Sequence, residues 1–250
     1  MWERKELKQK AKEVLRKSYW QAFLVSIILV FVSGGGTPPT LNLNFGSSDS
    51  SISIGNDFDW AMLAPFLIIG IVIIIIVMIL AFAFRIFLCF PLEAGSMRYF
   101  KRAAEGEVNL NHLGYSFNRQ RYMDIVKAML WRAFLNFLWY LLLIIPGIIK
   151  SYSYSLVPFL LSDNPNIGYR RAVDLSRQMT RGHKFRIFVL DLSFLGWLIL
   201  GMLLLVFGVL FVLPYINATK AELYLALRQE ALNKGLTTEE ELRLIPPPAL

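Results

Sequence analysis

Apolar residues run along this chain in blocks of helical length, separated by short polar stretches. The clearest block, Ala61 to Phe84, carries no charge at all and exceeds the roughly 20 residues a helix needs to cross a hydrocarbon core. Ahead of the first block, Trp2, Leu7, Ala11, Val14, Leu15 and Tyr19 recur on one helical face while lysines fill the other. This predicts an amphipathic helix over 3–18 at headgroup depth. Tyr19 to Val32 then starts a first span, short unless its flanking Lys and Arg snorkel. Residues 33–60 hold Gly34-Gly35-Gly36, Pro38-Pro39, Ser, Asn and three Asp, with no Lys or Arg, and read as an external loop, flexible or with a short hairpin near Ile52 and Ile54.

Pro65 fits the first turn of a second span, which returns past Arg85 and either extends or kinks at Pro91 before Arg98, Lys101 and Arg102. Residues 124–162 are apolar on both sides of Pro146-Gly147, which predicts a helical hairpin turning there, with Lys150 near the external surface. A re-entrant pair is the alternative, because the second arm is short. Asn164-Pro165 opens an amphipathic helix that ends near Gly182. A last hairpin over 185–231 turns near Gly208, and 233–250 forms a tail with a capping box at Thr237 to Glu240 and a stop at Pro246-Pro247-Pro248. The first hairpin covers 19–103. The expected fold is therefore all-α: a polytopic membrane bundle of about six transmembrane helices in three hairpins over 1–232, with amphipathic cytoplasmic helices.

Composition agrees, since 56% of the residues are hydrophobic. Charge changes the picture more, because it orients the chain. Seven basic residues precede the first block and none lies between Ser33 and Trp60, while Arg170, Arg171, Arg177, Arg181, Lys184 and Arg186 crowd one connection. By the positive-inside rule both termini and these connections are cytoplasmic, in the cell membrane. The net charge of +8 thus points to anionic lipid, or a membrane protein partner, and away from nucleic acid. The segment ahead of the first span is expected to be retained: it is long, contains Glu3, Glu6 and Glu13, and has no small-x-small cleavage site after it.

Each returning helix also carries a proline with a small residue four positions on: Pro91 with Gly95, Pro158 with Ser162, Pro214 with Ala218. This is a weak internal repeat of three units.

Three ordered segments, LIIPGIIKSYSY (143–154), SRQMTRGHKFRIFVLDLSFLGW (176–197) and LPYINATKAELY (213–224), together resemble a family of uncharacterised bacterial multi-pass membrane proteins. That family is found mainly in Gram-positive organisms and is catalogued only as a domain of unknown function. The chain also bears a remote likeness to the membrane-anchoring part of some glycerophosphodiester phosphodiesterases, without their catalytic domain. The resemblance implies the fold and carries no catalytic residue.

Candidate chemistry is sparse. A single cysteine, Cys89, and two histidines give no metal spacing, and no nucleophile elbow, phosphate loop or paired-carboxylate motif is present. No catalytic residue, cofactor or metal is expected, and Glu93, Glu105 and Glu107 read as loop solvation. Asp191, inside an apolar span, with Arg132 and Asn136 at i and i+4 on the third span, forms a candidate intramembrane polar site. Asp191 is either half of a structural ion pair, with Lys184, a neighbouring basic residue or Arg132, or part of the lining of a site for a transported ion, small molecule or lipid. Arg170, Arg171, Arg177, Arg181, His183 and Lys184 are the candidate lipid-headgroup contacts. The function expected first is a structural or accessory membrane protein that binds anionic lipid or a protein partner; the second is a transporter.

Overall fold

A computed structural model describes residues 3–33, 60–203 and 207–244. Every regular element among the described residues is a helix, and none of them is a strand. Three helical stretches are long and apolar enough to cross a membrane, Ile68–Ala104, Arg119–Leu142 and Ile144–Asp163. The expected external loop and the proline tail lie outside the described residues, as do residues 204–206; Gly208, where the last turn is expected, is instead in the first turn of a helix over Phe207–Asn233.

Helix α1 (Arg4–Ser33) breaks at Ser18, whose φ of −141° leaves the helical region and whose hydroxyl donates back to the Val14 carbonyl at 3.0 Å. Back-bonding of this kind bends helices. Before the break, Leu7, Ala11 and Leu15 repeat at i, i+4 and i+8 and are buried in the main core, while Arg4, Lys5, Glu6, Lys10 and Arg16 face outward. This basic helix packs against α9 (Phe207–Asn233) and touches α8 (Lys184–Leu203), where Lys8 Nζ donates to Ser193 Oγ at 2.8 Å.

Helix α2 (Trp60–Phe84) is apolar all round, and Ile71 to Leu80 are exposed on every side, which a helix tolerates only in lipid. Pro65 lies inside it, one turn later than the sequence implied. The kink expected at Pro91 is a π-helical turn at Arg85–Cys89 leading into α3 (Phe90–Ala104). Proline lacks the N–H that would bond to Phe87, and the Tyr122 hydroxyl takes that carbonyl at 2.5 Å. A 3-10 segment (Leu110–Phe117) lies on α3 so closely that a Cβ at Gly95 would overlap the Leu113 carbonyl oxygen.

Helices α4 (Arg119–Leu142) and α5 (Ile144–Ser153) turn at Leu143, in extended conformation, and not at Pro146-Gly147. Pro146 sits in the first turn of α5, where a missing N–H costs nothing, and Gly147 lets the Tyr140 ring pack against its Cα. Leu141, Leu142, Leu143, Ile144 and Ile145 are all at least 61% exposed, so the tip is bare hydrocarbon. After a short turn, α6 (Val157–Asp163) is the buried second arm. Asn164 ends α6 instead of opening the next helix: its Oδ1 accepts the Asn166 N–H and its Nδ2 donates to the Glu241 carbonyl. Helix α7 (Tyr169–Met179) begins after Gly168, whose φ of +88° suits only glycine. The expected C-terminal helix is a set of turns in which the Thr238 hydroxyl caps the Glu241 N–H.

The three segments that share the proline pattern meet in the middle of the molecule. Helix α3 packs on both α6 and α9, the Phe159 and Tyr224 rings stack at 5.0 Å, and Ser162 and Ala218 are almost fully buried.

Candidate functional site

Two of the three residues expected to form a polar site come together. Arg132 of α4 and Asp191 of α8 both line a cavity of about 320 Å³ between α1, α3, α4, α5, α6, α8 and α9. They do not pair with each other. Arg132 holds Glu93 at 3.0 Å and Asp191 faces Lys220 at 3.5 Å, so two ion pairs border one cavity. Asn217 adds a hydrogen bond to Ser26 on its wall. Asn136, one turn along α4, is not in the lining, and its buried Oδ1 has no hydrogen-bond partner among the described residues. Glu93 is therefore helical and paired, not loop solvation. Proline at the helix start followed by a carboxylate in the first turn was the signal for it, since acidic groups favour helix N-termini.

The predicted headgroup contacts divide in the same way. Arg171 is used internally: it forms a double bond-pair with Glu241, at 2.6 and 3.0 Å, and donates to the Leu236 carbonyl, strapping the C-terminal turns to α7. His183 is buried and pairs with Glu230 at 3.0 Å. Arg170, Arg177 and Arg181 remain exposed on the outer face. Lys184 lies within electrostatic reach of Arg177, Arg181 and Lys150, and Lys150 within reach of Arg177. The group of cations thus includes Lys150, a residue of α5. Lys150 also sits 4.4 Å from the Trp139 ring.

The Arg171 guanidinium holds the Glu241 carboxyl below its usual range, and hydrogen bonds from Thr237 and Thr238 add to this. A depressed carboxylate pKa contributes stability that is full above the unfolded value and is lost as pH falls through the folded one. Hydrogen exchange over 236–244 is therefore expected to stay slow at neutral pH and to rise below the ordinary carboxylate range. In Glu241→Gln it is expected to be fast at both.

A third charged group escaped the sequence reading. Asp163, at the end of α6, is buried together with Lys101 of α3, with which it is ion-paired. Tyr224 donates its hydroxyl to the same carboxylate, and Arg228 reaches it at 3.3 Å and Glu105 at 2.8 Å. Three helices are thus tied through one carboxylate.

Neither a curated protein nor a solved structure matches this chain. A family match covers residues 42–231, three-quarters of the sequence, and the chain belongs to the family described as Protein of unknown function (DUF975).

Proposed function

We propose that this protein is a membrane protein that gathers anionic lipid headgroups at the cytoplasmic leaflet, with α2 and α1 beyond its kink as the crossings and the other two hairpins dipping into the inner leaflet only. The carrying observation is the position of Lys150. Its helix, α5, packs against α7 and α8, which brings Lys150 within electrostatic reach of Arg177 and Lys184, in the connection that the charge rule assigns to the cytoplasm. The bare tip at Leu143 is seven residues from Lys150, about 10 Å at the helical rise, whereas the hydrocarbon core is about 30 Å thick. The hairpin is then re-entrant, with apolar residues in the acyl region and cations at phosphate depth, the geometry of interfacial anchors. Lys8 gives the same argument for the last hairpin. Its ammonium belongs to the basic N-terminal helix yet bonds Ser193, ten residues or about 15 Å before the end of α8 at Leu203.

Each cation near an anionic surface contributes about 1 kcal/mol. Replacing exposed Arg177 and Arg181 by Gln should weaken binding of phosphatidylglycerol to the purified protein about tenfold or more, measured by native mass spectrometry. Unchanged phosphatidylglycerol retention would contradict the reading.

The cavity supports a second reading. Its two ion pairs give it both signs of charge, the lining a small zwitterion would meet in a transport or binding site. Flux or binding lost in Arg132→Gln and in Asp191→Asn, with the fold kept, would favour it.

A further inference from the structure

We infer that a second site, separate from the lipid-facing cluster and independent of that reading, binds a phosphate-bearing anion in a basic pocket at the end of α3. The pocket is about 410 Å³. Six cations line it, Arg98, Lys101 and Arg102 from α3, Arg121 from α4, Arg228 from α9 and Arg243 from the C-terminal turns, against two carboxylates, Glu105 and Asp163.

Those carboxylates are already committed. Asp163 serves Lys101 and Arg228, and Glu105 serves Arg228 and Arg102, which also reaches Glu107. The other three cations gather without an acidic partner in any ion pair among the described residues. The guanidiniums of Arg98 and Arg121 both lie over the ring of Tyr115, at 3.5 and 4.5 Å, so one aromatic face carries two like charges. Arg98 places one donor on the Ser162 carbonyl, but its Nε and that of Arg102 are buried with no hydrogen-bond partner among the described residues. Arg243 is the described non-glycine residue with positive φ, 51°, a sparsely populated conformation at a residue that lines the pocket.

Cations crowded in this way repel one another, and planar guanidinium forks match phosphate oxygens in pairs. A multivalent phosphate would take the unused donors and offset the repulsion. The volume admits a diphosphate or a phosphorylated headgroup, and carboxylates on the wall leave the rim cations, Arg121 and Arg243, as the residues that decide binding.

The test uses the full-length protein in neutral detergent, titrated calorimetrically with inorganic pyrophosphate against sodium chloride of equal ionic strength. A parallel arm holds the protein in nanodiscs of phosphatidylcholine, plain, with phosphatidic acid or with added pyrophosphate, and reads its melting temperature. Pyrophosphate is expected to bind well above the chloride control, and at least tenfold more weakly to Arg121→Gln and to Arg243→Gly. The second variant relieves the positive φ, so it removes the charge without a folding penalty. Binding of pyrophosphate in both detergent and lipid discs identifies a soluble phosphate as the ligand. Stabilisation by phosphatidic acid alone, lost in the same two variants, identifies a lipid headgroup. No response in either arm, a response that chloride reproduces, or one unchanged in both variants overturns the proposal.

Discussion

Replacing Asp163 by alanine is expected to cost the folded protein about 3–5 kcal/mol, the usual penalty for removing one partner of a buried ion pair. The Lys101 ammonium is only 2% exposed and would be left buried without its counter-charge. Tyr224 would lose its acceptor and Arg228 one of its two carboxylates. The loss should appear as a lowered midpoint of unfolding in mixed micelles. It should be largely recovered by Lys101→Met combined with Asp163→Leu, because burying neither charge avoids the desolvation that the pair offsets. A single-variant loss below about 1 kcal/mol would mean that the network is solvated and does not hold the three helices together.

The second large effect is expected at the hairpin tip. Ile144 is 71% exposed among leucines and isoleucines. If the tip lies in the acyl region, Ile144→Arg should destabilise the reconstituted protein by about 2–3 kcal/mol, near the cost of an arginine in the hydrocarbon on insertion scales. If the hairpin crossed fully and turned at the external headgroups, the same arginine would snorkel and cost little. Thermal unfolding in phosphatidylcholine vesicles separates the two outcomes.

Hydrophobic block length and lysine placement were enough to read helices, their rough bounds and the amphipathic start of α1. Both carry strong local signals: a charge-free run of isoleucines has few other solutions, and Leu7, Ala11 and Leu15 mark one face. Pairing was less legible. Arg132 and Asp191 stood out because each is a charge within an apolar run, and they do share a cavity. Their partners, Glu93 and Lys220, sit where polar residues are ordinary, so nothing local distinguished them from solvated positions. Asp163 was hidden for the same reason: in the stretch Ser162-Asp163-Asn164-Pro165 an aspartate reads as a turn residue, and only the packing of α3 and α9 on α6 buries it. The turn at Leu143 was misplaced because Pro146-Gly147 is a strong breaker by composition, yet proline is equally at home in a helix's first turn. The expectation that Lys150 lies outside comes from counting crossings, which assumes that every apolar block spans.

Lys150 is therefore where the account is most exposed to test. In a Cys89→Ser background, Lys150→Cys can be probed with a membrane-impermeant maleimide in right-side-out and in inside-out vesicles. The re-entrant hairpin predicts labelling in inside-out vesicles and protection in right-side-out ones. Labelling in right-side-out vesicles would contradict it and restore the full crossing.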